Sequence, residues 1–507
     1  MSVSVNETEA KYEAGPDTVL PPLDTVPQVA VTASPPEELL VAVYYDTPDL
    51  RLLRAGITLR RRTGGEDAGW HLKLPVSGRT REEVRLPLDA GSTPDEAPRE
   101  LAQLVRARSR DAELVPVATV STRRQIVNLL DAAGQVLAEV ADDRVVAERR
   151  QGSAARDSWR EVEVELAGGD SDLLAAVDAV LRRHGLHPSA RSAKLERVLA
   201  SDLPAERQSA SPTAAGPAHQ AVTSYLAAQA EDMAALDPLV RRFRPDSVHK
   251  MRIATRRLRS TLRSFRSVMR PDQTEHIAAE LKWLGDTLGQ ARDAEVLARR
   301  MRTRQEETDT AELLGPVVAR IESHFADADA EARAAVLVAL ESARYTALLA
   351  GLDVLIAEPP LAPAGEKPAG SAMAAAVEAS FRSTRRRLRR ALACPPGGDR
   401  DVALHRARKA AKRTRYAAEA ATAVAGRDAS RFADQMKNVQ TILGDHQDTV
   451  IARQLDRSLG VAAHLAGENA FSYGMFYERE ACDARMLQDQ VAGIWKRASR
   501  RRYRRWL

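Results

Sequence analysis

His249, Arg252, Arg256, Arg259 and Arg263 share one stripe of a helix at about 100° per residue, and the chain writes that stripe twice. In the second copy His405 falls on His249, Arg408 on Arg252, Lys412 on Arg256, Arg413 on Arg257 and Arg415 on Arg259. Like charges one turn apart repel and weaken a helix by a few tenths of a kcal/mol per pair. Two such stripes with the histidine in register therefore read as anion-binding faces rather than solvated ones. The register extends outward. Tyr225 and Phe381 precede their histidines by the same distance, and Lys282 with Leu288-Gly289 and Asp293 recurs as Lys437 with Leu443-Gly444 and Asp448. A near-constant offset over such a length marks an internal duplication. Neither histidine has a carboxylate or a second histidine three or four residues on, so a phosphate contact or a packed hydrogen-bonding role fits better than metal ligation. Asp293 and Asp448 read as helix caps or as partners of the arginines.

The first two hundred residues place charge by alternation instead. Glu7, Glu9 and Lys11 fall on one side of a strand, as do Arg60 with Arg62, His71 with Lys73, and Arg81 with Glu83 and Arg85. Glu161, Glu163 and Glu165 oppose Val162, Val164 and Leu166. An ordinary half-exposed sheet alternates in the same way. Here the pattern recurs over many strands, with carboxylates (Glu7, Glu9, Glu161, Glu163, Glu165) segregated from cations (Lys11, Arg60, Arg62, Lys73, Arg81, Arg85, Arg124). In a closed antiparallel barrel these faces converge on the lumen, where charges are desolvated unless a ligand and a metal neutralise them. Oxygen-only acidic clusters suit Mg²⁺ or Mn²⁺, and arginine and lysine clusters suit phosphate oxygens.

Two scaffolds are needed to position these groups. The segments 98–108 and 170–184 read as helices flanking the barrel, and Tyr45-Asp46-Thr47 before Pro48 reads as architectural. Residues 201–220 are rich in Pro, Ser and Ala without apolar period and read as a linker. From 221 onward Ala, Leu, Arg and Glu dominate with helical spacing, and a Pro-rich stretch at 357–370 divides two repeats, about 221–356 and 371–507, each of about four helices. A chain of 507 residues, 44% hydrophobic, holds two or three cores. Residues 1–200 hold 26 Lys and Arg against 32 Asp and Glu, and the rest 49 against 38, which joins an acidic module to a basic one. Aromatics at 4% argue against base-stacking surfaces, so no sequence-specific nucleic acid partner is expected. Cys394 and Cys482 have neither pairing pattern nor zinc spacing, and with no signal peptide and no membrane span the expected location is cytoplasmic. The basic tail from Lys496 to Leu507 is too short to read as an anchor.

Glu7-x-Glu9-x-Lys11, Tyr44-Tyr45-Asp46-Thr47, Leu59-Arg60-x-Arg62, the Trp70 to Lys73 run, Arg81-x-Glu83, Arg124, the Glu139 to Asp143 run, the Glu161/Glu163/Glu165 strand and Lys194 together resemble a CYTH domain, of the triphosphate tunnel metalloenzyme superfamily. The resemblance implies an eight-stranded antiparallel tunnel barrel over residues 1–200, with Glu7, Glu9, Lys11 and Glu163 in catalytic roles. It further implies Mg²⁺ or Mn²⁺ on Glu7, Glu9, Glu161, Glu163 and Glu165, and a triphosphate on Lys11, Arg60, Arg62, Lys73, Arg81, Arg124 and Lys194. Adenylyl cyclase activity also occurs in that superfamily. The doubled His-x-x-Arg-x-x-x-(Arg/Lys)-Arg-x-Arg motif and the two Leu-Gly-x-x-x-Asp runs resemble a CHAD (conserved histidine α-helical) domain over 221–507. That resemblance implies two pseudosymmetric bundles around a basic groove that binds polyphosphate through His249, Arg252, Arg256, Arg259, Arg263, Lys282, His405, Arg408, Lys412, Arg413, Arg415 and Lys437. The expected whole is a multidomain α+β chain that hydrolyses inorganic triphosphate or a related triphosphate with a divalent metal and binds polyphosphate. The alternative expectation is a non-catalytic polyphosphate-binding protein associated with polyphosphate granules.

Overall fold

The computed structural model describes residues 3–91, 93, 96–150, 156–191, 193–203 and 211–507, and these divide into two compact units, residues 1–208 and 209–507. The expected linker at 201–220 lies partly outside the described residues.

The first unit follows from the alternation. Its elements are β1 (Val3–Ala14), β2 (Val31–Ala33), β3 (Glu38–Asp46), α1 (Arg51–Arg54), β4 (Thr58–Thr63), β5 (Gly69–Ser77), β6 (Thr80–Leu86), α2 (Arg99–Ser109), β7 (Val115–Leu130), β8 (Val136–Arg149), β9 (Arg156–Leu166), α3 (Ser171–Arg183), β10 (His187–Pro188) and α4 (Lys194–Leu199). Strands β1, β6, β5, β4, β3, β7, β8 and β9 pair in that order, all antiparallel, and β9 pairs back on β1, so the sheet closes into an eight-stranded barrel. Because the charged faces point inward, two of the apolar clusters lie outside the barrel wall. Helix α3 covers β1, β8 and β9 through Leu173, Val177 and Leu181 on Val140, Val162 and Val164. Helices α1 and α2 cover Trp70, Leu72 and Val84 from outside, whereas α4 lays Leu195 and Val198 on Tyr44, Val145 and Trp159, which register with the inward Arg60, Asp143 and Glu161 and so form an apolar layer at one end of the lumen. Each such side chain fully buried contributes about 1.5–3 kcal/mol, so two outer clusters and the apolar layer under α4 hold the barrel closed around its charged cavity. Asp46 turns β3 into α1 by accepting from the backbone N–H groups of Thr47, Leu52 and Leu53 at 2.7, 2.9 and 2.8 Å, an architectural role.

The second unit is helical. It holds α5 (Ala218–Arg241), α6 (Ser247–Ser264), α7 (Pro271–Glu306), α8 (Val317–Glu341) and α9 (Ala343–Ala357), then α10 (Ala369–Ala393), α11 (Gly398–Ala420), α12 (Thr422–Leu465) and α13 (Phe471–Ala498). The first half has five helices where about four were expected. Ser342 leaves the helical backbone (ψ 148°) and its side chain caps the Tyr345 N–H, which separates α8 from α9. In the second half α12 bends at Gly426, whose φ of 53° suits glycine. No single described helix is long and apolar enough to cross a membrane, and α8 with α9, bent by 56°, passes that test only as a pair, by length and composition.

Candidate tunnel site and basic helical groove

Register decides which charges meet in the barrel. The β1–β9 pairing sets Glu9 opposite Glu165 and Lys11 opposite Glu163, and β8–β9 sets Glu139 opposite Glu165 and Asp143 opposite Glu161. The β5–β6 pairing sets Lys73 opposite Glu83, and β3–β4 sets Tyr44 opposite Arg60. With Glu7, Arg62, Arg81, Arg85 and Arg124, most of these inward groups line a cavity of about 440 Å³, and Lys194 reaches it from the first residue of α4.

The expected segregation of carboxylates from cations holds along the chain but not in space, because closing the barrel apposes them. Glu163 accepts a short hydrogen bond from Lys11, one from Arg124 at 2.7 Å and one from Lys194 at 2.8 Å. Burial favours the neutral acid there, but Lys11, Lys194 and Arg124 outweigh it and hold the carboxyl well below the usual range. Asp143 takes both arms of Arg124 at 2.8 and 2.6 Å and lies 2.8 Å from Lys194. Glu7 is 2.6 Å from both Lys73 and Arg85. Glu83, fully buried, meets His71 at 3.1 Å and Arg85 in a short contact, with Arg60 at 3.7 Å. His71 is pressed down to about 4 by burial and the Arg60 charge, against the pull of Glu83, so it is neutral at pH 7 and serves to orient Glu83. Burial, then the Arg60 and Arg124 charges, press Arg62 down to about 9, a measure of how crowded the cations are.

Glu165 differs from its neighbours. It has no ion-pair partner among the described residues, and burial, then the Glu7 and Glu9 charges, push it up to about 7. A carboxylate without a cation of its own is the kind of all-oxygen donor a hard divalent ion prefers, although Glu7, Glu9 and Glu165 are not among the described carboxylates whose ligand atoms converge within 4.8 Å. Among the described residues it is Asp143, Glu161 and Glu163 that bring ligand atoms within 4.8 Å of one another, and the Lys194 ammonium lies 2.7–2.8 Å from all three. Glu161, expected in the metal set, meets Lys194 at 2.7 Å and accepts from the indole N–H of Trp159 at 2.6 Å. Glu83, Glu139 and Asp143 had no assigned role in the sequence reading, although each sits in one of the quoted runs.

In the helical unit the repeated glycines explain the repeated arginines. Gly in a helix interior costs roughly 1 kcal/mol relative to Ala, yet Gly289 on α7 and Gly444 on α12 both stand there. A Cβ on Gly289 would lie 3.1 Å from the Arg252 guanidinium, and one on Gly444 would lie 3.3 Å from that of Arg408. Each glycine is a notch for an arginine from α6 or α11. Arg252 donates to Asp293 at 2.8 Å, so this aspartate partners an arginine, while Asp448 stands in the interior of α12 as the foremost opposite charge near Arg408; neither caps a helix. Lys412 lies among Arg408, Arg256 and Arg252, and burial, then those charges, push it down to about 6. His249 and His405 are both lowered, by burial first and then by Arg292 and Lys409 respectively. Among the described residues, the Nε atoms of Arg252, Arg256, Arg259 and Arg408 and Nδ1 of His405 are buried without a hydrogen-bond partner. Arg257 and Arg415 instead both close on Glu419, at 3.0 and 2.7 Å. Lys282 turns to Asp286 on its own helix at 2.6 Å, Lys437 is exposed, and no contact among the described residues ties either to the arginine cluster.

Gly444→Ala is expected to leave thermal stability unchanged or slightly raised, since Ala is the better helix former and its only close neighbour is the end of a flexible side chain. The same change displaces Arg408. Affinity for a polyanion held at this arginine cluster, read by titration with polyphosphate as the probe, should therefore fall several-fold without loss of fold.

Residues 7–192 match the CYTH domain family and residues 224–456 the CHAD domain family. The chain is 38% identical over 508 residues to the uncharacterized protein Rv2226 of Mycobacterium tuberculosis, an alignment that covers 96% of this chain and 94% of that one. Among solved structures, the CHAD domain from the plant Ricinus communis aligns with 24% identity and a TM-score of 0.47, over 58% of this chain and 96% of that one. PptA from Streptomyces chartreusis aligns with 20% identity and a TM-score of 0.45, over 55% and 99%. The Hippeastrum protein HpAC1, whose structure is described as revealing a dominant triphosphatase activity, aligns with 15% identity and a TM-score of 0.26, over 40% and 98%.

Proposed function

Because the chain belongs to the family of proteins that join a CYTH domain to a CHAD domain, we propose that its barrel hydrolyses inorganic triphosphate or a related triphosphate with a divalent metal, and that its helical unit binds polyphosphate. The observation that carries this reading is the composition of the lumen: Lys11, Lys73, Lys194 and five arginines around one cavity, facing carboxylates of which Glu165 has no cation of its own. When bound on Glu7, Glu9, Glu163 and Glu165, Mg²⁺ or Mn²⁺ would supply neutralising charge and a polarised water. Lys11, Arg60, Arg62, Lys73, Arg81, Arg124 and Lys194 hold the phosphate oxygens in line. Being fixed in advance by the barrel wall, they stabilise charge on the departing phosphate without reorganising. In the helical unit the orphaned guanidinium and imidazole nitrogens of Arg252, Arg256, Arg259, Arg408 and His405 await acceptors, and phosphate oxygens match them.

Phosphate release by the full-length chain over a panel of triphosphates, with and without Mg²⁺ or Mn²⁺, tests the barrel. Metal-dependent release from inorganic triphosphate is expected. Inertness over the whole panel would reduce the barrel to a clamp without turnover. Retention on immobilised polyphosphate, falling as salt rises, tests the helical half independently.

A further inference from the structure

The duplication that builds the helical groove is broken in charge at one position. In the register that lays His405 on His249, Glu419 falls on Arg263. On one side of the α6–α11 pair, Arg257 of α6 and Arg415 of α11 both donate to Glu419, at 3.0 and 2.7 Å, while Gln229 and Gln440 accept from the same two guanidiniums at 3.4 Å. The pseudosymmetric positions on the other side are Arg413, Arg259 and Arg263, with arginine where the first side has its glutamate. No carboxylate lies within ion-pair distance of Arg413 or Arg259 among the described residues, and Arg263 has only Glu275 at 3.8 Å. The charges acting on Arg413 are those of Arg387, Arg263 and Arg266. Arg387 lies on α10 and Arg266 just beyond α6, both exposed and both outside the repeated motif.

Resting on the polyphosphate reading above, we propose that the groove is one-sided: the phosphate chain runs from the central Arg252, Arg256, Arg408 and Lys412 over Arg259, Arg263 and Arg413 and onto Arg266 and Arg387. Arg257, Arg415 and Glu419 form a closed latch that makes no phosphate contact. A single replacement of one cation by glutamate thus turns a symmetric basic face into a track with one open flank, and two arginines outside the motif become part of it. Each phosphate-neutralising cation contributes on the order of one unit to the logarithmic salt dependence of binding, which gives the measurement its resolution.

Polyphosphate of defined chain length is titrated into the full-length chain at several salt concentrations. The Arg387→Gln/Arg413→Gln pair should weaken binding at least tenfold and lower the salt slope by about one to two units. Arg415→Gln should leave both nearly unchanged, with thermal unfolding confirming that each variant is folded. Glu419→Gln, which opens the latch, should tighten binding and steepen the slope, a gain that misfolding cannot mimic. Equal losses from Arg415→Gln and Arg387→Gln/Arg413→Gln, or a Glu419→Gln variant that binds no better than the parent, would overturn the one-sided track while leaving polyphosphate binding intact. A parent chain that binds no polyphosphate overturns both readings.

Discussion

Glu163→Gln should lower metal-dependent phosphate release from inorganic triphosphate by a factor of about 10²–10³ or more, the scale seen when one preorganised group is removed, and yet tighten the binding of triphosphate without metal. Both effects come from one carboxylate. Glu163 accepts from Lys11, Arg124 and Lys194 at once, so in the ligand-free barrel it competes with phosphate for three cations. Glutamine keeps the size and loses the charge, which leaves Lys11 with Glu9 at 3.5 Å and Arg124 and Lys194 with Asp143, each freer to take a phosphate oxygen, while the proposed metal set loses a charged member. Steady-state turnover and calorimetric titration in chelator should therefore move in opposite directions. A variant that loses metal-free binding as well would mean that Glu163 organises the lumen and does not compete within it.

Lys412→Met is expected to stabilise the ligand-free protein while weakening polyphosphate binding. The folded chain holds the Lys412 proton with a pKa of about 6, far below the value of about 10.4 for an unfolded lysine. Between those values the unfolded chain binds the extra proton, so the stability this group contributes rises with pH across that window and is at its lowest below pH 6. Methionine removes the penalty and keeps most of the volume. The melting temperature at pH 6–7 should climb on the order of 2–6 °C and its pH dependence should flatten. An arriving polyanion reverses the balance, because beside phosphate the ammonium is favoured. Polyphosphate binding near pH 8 should then take up about one proton, read from the dependence of binding enthalpy on buffer ionisation, and Lys412→Met should abolish that uptake and cost roughly tenfold in affinity. Proton uptake that survives in the variant would place the titrating group elsewhere.

Periodicity disclosed some of this and was blind to the rest for definite reasons. Alternation put Glu7, Glu9, Lys11, Arg60, Arg62, Lys73, Arg81, Glu163 and Glu165 on inward faces, because strand geometry ties a side chain's direction to parity. It could not show that β9 returns to β1, and so it missed that Lys11 would meet Glu163 and that the separated charges would neutralise one another. Lys194 lies on a helix, where strand parity says nothing, and only the family resemblance pointed to it. The doubling of the basic motif announced a paired site, but the meaning of the two Leu-Gly runs required knowing that Arg252 and Arg408 lie across those glycines. Glu419 was invisible in the motif because it stands just beyond it, although laying the two copies side by side would have exposed a glutamate against Arg263.

The mutual pairing inside the barrel has a further consequence for what the protein ignores. A lone oxyanion such as sulfate, entering without a metal, must part Lys11 from Glu163 and Lys73 from Glu7 and then face the carboxylates it has stripped. A lone divalent ion finds its prospective ligands other than Glu165 engaged by ammonium and guanidinium groups. When both arrive together, each takes the partner the other discards, and no charge is stranded. On the proposed reading the lumen would therefore act as a coincidence gate, quiet toward the many small anions and cations of its surroundings and responsive to the metal-loaded polyanion.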